Sequence, residues 1–333
     1  MLVSIIVPVY NVEKYINQCL DSLISLDRMK VKIILVIGRS DDKSNDICQA
    51  YVGRYENISI VQQNGKGLSN ARNCALQNID TEYVTFVDSD DYVVTSRLQR
   101  LINMIEQIET DVAEIDMFVS DFVSVSEESR QINIRNQIIE TEQFLQSEYT
   151  MEFLQSGGSI WNVWRYIYRT EFLKRNNLRF LEGYLCEDVE FTSNCFLKAH
   201  QIYYLHNPYY CYRPYRVESL YNKKTIKNAK DLLEIAEVFL NENREQTSIY
   251  MSKIIDRICR EIVLGLPMIH SMERADRKKA VSLYQSKIEY IRMGNQRLTK
   301  LAYVSIRLLG IWWVSYVLYL IQKLRRKVLY HVR

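Results

Sequence analysis

Proline and glycine are both scarce, with 4 and 10 copies in 333 residues. So few turn formers argue against an all-β architecture and for long regular elements. The seven cysteines, at 19, 48, 74, 186, 195, 211 and 259, are odd in number and contain no CxxC or other metal-ligand spacing. Reduced, mostly buried thiols are therefore expected, not a disulfide framework or a zinc site. Neither a Walker A loop nor a GxGxxG fingerprint occurs, which removes support for nucleotide hydrolysis and dinucleotide binding. No Ser-His-Asp or Cys-His nucleophile set stands out, and His206 reads as a structural histidine. No secretory leader is expected from the opening residues. Leu2-Val3-Ser4-Ile5-Ile6-Val7 is short, has no basic lead and meets Pro8, so it reads as a buried strand. A net charge of +3 gives no support for nucleic acid or another polyanion as partner.

What is present is a regular alternation over the first 110 residues. Short β-branched runs at 2–9, 32–37, 58–62 and 83–87 have the length of buried strands. Between them the spacing predicts helices over 12–26, 44–55, 68–79 and 96–109, the last with Thr95 or Ser96 as its N-cap. That order implies a parallel sheet with helices on both faces. Further on, 112–125 reads as extended, 141–156 as helical and 203–212 as extended. A helix is expected after Glu187, and mainly helices from 225 to 292 with a break at Pro267.

Chemistry concentrates at the end of the fourth strand, where Tyr83-Val84-Thr85-Phe86-Val87 runs into Asp88-Ser89-Asp90-Asp91. Extended backbone points residues i and i+2 the same way, so Asp88 and Asp90 converge. Ligands of open α/β sheets bind beyond the carboxyl ends of the strands, and Mg²⁺ or Mn²⁺ favours carboxylates with phosphate oxygens. A solvated acidic turn is the competing reading. On the same sheet edge, Val7-Pro8-Val9-Tyr10-Asn11 offers an aromatic and an amide. Asn64-Gly65-Lys66-Gly67-Leu68-Ser69-Asn70-Ala71-Arg72-Asn73 brings a helix start and Arg72, both suited to phosphate. Arg72 is equally compatible with a helix-surface ion pair.

Together these pieces resemble the family 2 glycosyltransferases of GT-A fold, in particular bacterial enzymes that build capsular and other surface polysaccharides. The match rests on Val3 to Asn11, on Gly67-Leu68-Ser69 with Ala71-Arg72-Asn73, and on Asp88-Ser89-Asp90-Asp91. Glu187-Asp188-Val189-Glu190-Phe191 and Tyr209-Tyr210-Cys211-Tyr212-Arg213 with Ser219 complete it. The resemblance implies an α/β, Rossmann-like nucleotide-diphospho-sugar transferase domain over 1–222; the helical spacing beyond it predicts a helical region over 223–294. The resemblance also implies Mn²⁺ or Mg²⁺ on Asp90 and Asp88, and Asp188 as general base oriented by Glu187. Nucleotide-sugar contacts would come from Pro8, Val9, Tyr10, Asn11, Arg72, Asp88, Ser89 and Arg213. The donor would be a UDP-sugar, the acceptor a lipid-linked saccharide, and the outcome inversion at the anomeric carbon.

Two departures stand out. The acidic pair that relatives carry after the second strand is Ile37-Gly38 here, followed by Arg39, and Trp164 is followed by Arg165-Tyr166 where Asn-Lys is usual. The first departure supports an alternative, a catalytically silent homologue that scaffolds partner transferases at the membrane.

The C-terminal end is compositionally separate. Residues 290–333 carry nine Lys or Arg and no acid, which leaves about −6 on residues 1–289. The apolar stretch Leu308 to Ile321 has 14 residues, where a spanning helix needs about 20. Basic residues beside Trp312, Trp313, Tyr316 and Tyr319 predict amphipathic helices over 295–333 lying on an anionic membrane surface. Core closure or a homo-oligomer interface is the alternative. The expected location is the cytoplasmic face of the cell membrane.

Overall fold

A computed structural model describes residues 1–111, 114–125, 131–135, 143–144, 160–214, 225–243 and 250–331. In chain order the first half contains β1 (Val3–Val9), α1 (Ile16–Leu23), β2 (Val31–Ile37), α2 (Ser44–Val52), β3 (Ile58–Gln62) and α3 (Gly67–Leu76). It continues with β4 (Tyr83–Phe86), β5 (Tyr92–Val93), α4 (Thr95–Asp111), β6 (Met117–Val125), β7 (Gln131–Arg135) and β8 (Gln143–Phe144). Then come a 3-10 turn at Val163–Arg165, β9 (Tyr166–Arg169), α5 (Thr170–Arg175), α6 (Glu187–Lys198) and β10 (Ile202–Tyr212). One sheet runs β3-β2-β1-β4-β9-β6-β10-β5, with β7 on β6 and β8 on β10.

The chain divides into two compact units. The first holds Met1–Gly183 and Phe191–Arg216, and the second Tyr184–Glu190 and Val217–Arg333. The four early strands are parallel as expected. Beyond them the sheet becomes mixed, because β9 runs antiparallel to β4 and β6 and β5 antiparallel to β10. β1 and β4 are buried throughout, and β2 almost throughout, which their β-branched and aromatic composition favours. α1 turns Ile16, Cys19, Leu20 and Leu23 inward at the three-and-four spacing of a helix.

Some expected elements start or end elsewhere. The first helix begins at Ile16 and not at 12: the Val12 carbonyl accepts the Ile16 amide at 3.0 Å in the turn that leads into it, while the Val12 and Glu13 amides are taken by Ser44 Oγ (2.8 Å) and Asp42 Oδ2 (2.9 Å). Thr95 is the first residue of α4, its hydroxyl donating to the Ser22 carbonyl at 2.7 Å, and the Leu98 amide closes the first turn on the Val94 carbonyl at 3.0 Å, so Val94 and not Thr95 stands at the cap. In the segment read as helical over 141–156, Gln143–Phe144 is instead a strand paired with Tyr203 and Tyr204. There, sheet extension overrides a helical spacing. The remainder of 141–156 lies outside the described residues.

The second unit is helical: α7 (Ile226–Glu242), α8 (Met251–Gly265), a 3-10 turn at Leu266–Ser271, α9 (Arg274–Ser286), α10 (Ile288–Arg292), α11 (Arg297–Leu309) and α12 (Ile311–His331). α7 opens with Asn228 Oδ1 accepting both the amide and the hydroxyl of Thr225. α8 gives way to the 3-10 turn just before Pro267, whose missing N–H ends the regular ladder. At Gly265 a Cβ would stand 2.6 Å from the Tyr284 hydroxyl, so close approach of the helices demands glycine here. Residues 295–331 belong to this unit.

Candidate active site

The last rung between β1 and β4 is Val87 N–H to the Ile6 carbonyl, at 2.9 Å. On β1 the next nitrogen facing β4 is that of Pro8, which has no hydrogen to donate, so the strands part. β2 still pairs with β1 at this level, Pro8 against Val36. The acidic turn Asp88–Asp91 lies at this opening, at the carboxyl ends of parallel strands.

The turn is held from three directions. Asp91 is 1% exposed, and its amide donates to the Asp88 carbonyl at 2.9 Å. Its carboxylate accepts the Tyr210 hydroxyl at 2.9 Å and the Arg213 amide at 2.8 Å. The same Tyr210 hydroxyl accepts the Asp88 amide at 3.1 Å, while its ring stacks on Trp164 with centroids 4.0 Å apart. Arg213 donates from its guanidinium to the Asp90 carbonyl and to Gln18 Oε1, and lies over the Tyr92 ring at 4.7 Å. Arg72, 2% exposed, donates to Asp88 Oδ1 at 3.0 Å. Its guanidinium lies over the rings of Phe86 and Phe180, at 5.7 and 5.2 Å.

Burial, and then the Asp88 charge, push Asp91 up to about 8, although the Arg213 amide and the Tyr210 hydroxyl act against the shift. Burial and the same two carboxylates also push the Cys19 thiol up. Asp91 therefore anchors the turn, whereas Asp88 and Asp90 are only half-buried. Ligand oxygens of Asp88, Asp90 and Asp91 all lie within 4.8 Å of one another. Crowded carboxylate oxygens beside two arginines fit a hard divalent cation bound together with an anion.

The opening strand contributes less uniformly. Pro8 and Val9 are buried, and the Tyr10 ring is 60% exposed beside them. Asn11 adopts φ +50°, tolerated by asparagine, and its side-chain oxygen accepts the Asp41 amide at 2.8 Å. It thereby ties two loops together. Ser89 is buried within the acidic turn. Ile37 is a buried strand residue, and a Cβ on Gly38 would meet Gln63 Oε1 at 2.9 Å. The Gln63 side chain thus occupies the space a larger residue 38 would use. His206 bonds to buried Asp121 at 2.9 Å, beside the Tyr204 hydroxyl on the same oxygen. That environment is structural.

Glu187 and Asp188 open α6 and belong to the second unit. A helix N-terminus favours both negative charges. Glu187 is buried and Asp188 half-buried. The loop before them is pinned by Asp231 of α7, which accepts the Leu185 amide at 2.9 Å and Lys227 Nζ at 2.7 Å. Tyr210, Asp91 and Asp231 were not among the expected site residues. For Tyr210 a signal exists: strand alternation sets it on one face with Tyr212, and both stack on Trp164.

A family model described as glycosyl transferase family 2 matches residues 4–171. An uncharacterized glycosyltransferase, EpsJ, of Bacillus subtilis is 35% identical over 204 residues, 60% of this chain and 58% of that protein. The poly(ribitol-phosphate) beta-N-acetylglucosaminyltransferase TarS of Staphylococcus aureus is 32% identical over 208 residues, 61% of this chain but 34% of its own length. The crystal structure of TarS 1–349 with UDP-GlcNAc superposes with a TM-score of 0.69 at 21% identity, covering 98% of this chain and 92% of that one. The mannosyltransferase PcManGT of Pyrobaculum calidifontis, solved with GDP-Man and Mn²⁺, gives a TM-score of 0.55 at 14% identity over 96% of this chain and 86% of that one. These likenesses establish the GT-A fold with its helical C-terminal region.

Proposed function

The chain belongs to glycosyl transferase family 2, and from that premise we propose that it is a metal-dependent, inverting glycosyltransferase acting on a nucleotide-sugar. The observation that carries this reading is the convergence of Arg72, Asp88, Asp90 and Arg213 on the opening between β1 and β4. Asp90 and Asp88 hold Mn²⁺ or Mg²⁺ in this reading. When bound, the cation supplies Lewis-acid stabilisation of the departing nucleoside diphosphate. Arg72, its planar fork packed against the Phe86 and Phe180 rings and bonded to Asp88, would meet the same diphosphate. The Asp188 carboxylate takes the proton of the acceptor hydroxyl as that oxygen bonds to the anomeric carbon and the sugar–phosphate bond breaks. Direct displacement inverts the centre, in keeping with a beta-transferase name among the relatives. A UDP-sugar is the donor proposed, and a lipid-linked saccharide of a surface polysaccharide the acceptor.

Turnover of nucleotide-sugar by Asp90→Ala tests the reading. Loss of transfer with an unchanged fold is expected, and a wild-type rate would overturn it. The scaffold alternative draws on Ile37-Gly38, since no carboxylate is offered there to a base or ribose. It gains if wild-type protein binds no nucleotide with metal.

A further inference from the structure

The last two helices bury a narrow stripe and expose a broad one. α11 turns Thr299, Ala302 and Ile306 inward, while α12 packs Ile311, Val314 and Ser315 inward. Ser315 Oγ meets the buried His270 at 2.8 Å, and Trp312 meets the same ring edge-on at 4.7 Å. This contact docks α12 on the 3-10 turn Leu266–Ser271. Core closure therefore accounts for only a minor face. On the other side Leu301, Val304 and Leu308 recur at helical spacing with 60, 54 and 78% exposure, followed by Trp313 at 61%, Val317 at 53% and Leu324 at 63%. Gly310, at φ +80° and ψ 157°, sits between the helices in a conformation open essentially to glycine alone. The apolar surface continues on both sides of it.

We propose that this face binds the surface of an anionic lipid bilayer, with α11 and α12 lying in the headgroup region. Exposed Arg297, Lys300 and Arg307 border the apolar stripe on α11, and exposed Lys323 stands toward the end of the stripe on α12. Arg325, Arg326 and Lys327 follow in sequence, and no acid occurs from 290 to 333. Apolar side chains enter the acyl boundary, tryptophan and tyrosine suit the interface, and the cations meet lipid phosphates. No helix among the described residues is long and apolar enough to cross a membrane, which matches a surface-lying helix. Pairing of this face with its copy about a two-fold axis would set cations against cations, with no acid in the segment to receive them.

The inference is independent of sugar transfer, and its test reads lipid binding alone. Full-length chain is floated with phosphatidylcholine vesicles with and without phosphatidylglycerol. Binding is expected with the anionic vesicles, weakened by salt. Each interfacial basic residue contributes about fivefold, so Arg297→Gln/Lys300→Gln/Arg307→Gln should bind roughly 100-fold more weakly. Leu308→Asp/Trp313→Asp, also confined to exposed positions, should abolish binding while circular dichroism stays unchanged. Equal binding to both vesicle types, or binding to neither, would overturn the proposal. So would a concentration-dependent dimer, without lipid binding, that the apolar pair dissociates, since that outcome assigns the face to a second copy.

Discussion

Removal of a single oxygen, in Tyr210→Phe, tests how the acidic turn is built. The Tyr210 hydroxyl is both acceptor for the Asp88 amide and donor to the Asp91 carboxylate, and the ring that carries it is clamped on Trp164. Phenylalanine keeps the stacking and leaves almost no cavity, so the loss is confined to two polar partners. Each buried group deprived of its hydrogen bond costs about 1–3 kcal/mol, so the two together should cost about 2–6 kcal/mol by urea denaturation. The functional effect should be larger. Asp88 and Asp91 are the two ends of the turn that presents Asp90, and a displacement of about 1 Å at reacting groups lowers rates on the order of 100-fold. Metal affinity, followed by calorimetry with the nucleotide, should fall in parallel. Tyr209→Phe is the control: that hydroxyl donates to the Trp164 carbonyl at 3.0 Å, away from the acids. It should cost about 1 kcal/mol and spare metal affinity. Wild-type metal affinity and turnover in Tyr210→Phe would refute the reasoning.

Three further outcomes follow from other contacts. Arg72→Lys gives up the planar fork over Phe86 and Phe180, and initial-rate kinetics should show at least about a tenfold fall in kcat/KM for the donor. Asp231→Ala releases the Leu185 amide before Glu187 and Asp188; about 1–2 kcal/mol of stability should go, with kcat reduced and metal affinity retained. His270 is kept neutral because burial lowers its pKa below 6.5. Its contribution is present above that unfolded value and lost as pH falls through it toward the folded pKa. Between pH 7.5 and 5.5 the urea midpoint should drop and tryptophan emission change, and His270→Gln should flatten both.

Legibility differed by the range of the interactions involved. β1 to β4 and α1 to α4 were readable because period and length are local properties, and the strand-end position of Asp88 and Asp90 followed from them. Pro8 was visible as a residue, but its role in separating β1 from β4 needed the register of both neighbours. The turn itself depends on Tyr210 and Arg213, which lie more than 115 residues from Asp91 in the chain. No local pattern encodes such a pairing. The antiparallel insertion of β9 between β4 and β6 is equally non-local, as is the pairing that makes Gln143–Phe144 a strand. Aromatic alternation along β10 was the one accessible hint of Tyr210. In the C-terminal helices, composition announced an amphipathic pair, and the packing on His270 identified the covered side.

Calorimetric titration of UDP, GDP and CDP, each with Mn²⁺ and with chelator, tests the central claim most directly. One nucleotide should bind with metal, lose most of its affinity with chelator, and fail to bind Asp90→Ala at the same metal concentration. Absence of binding by all three in the presence of Mn²⁺, or binding that Asp90→Ala leaves intact, would contradict a metal-dependent donor site at Asp88 and Asp90.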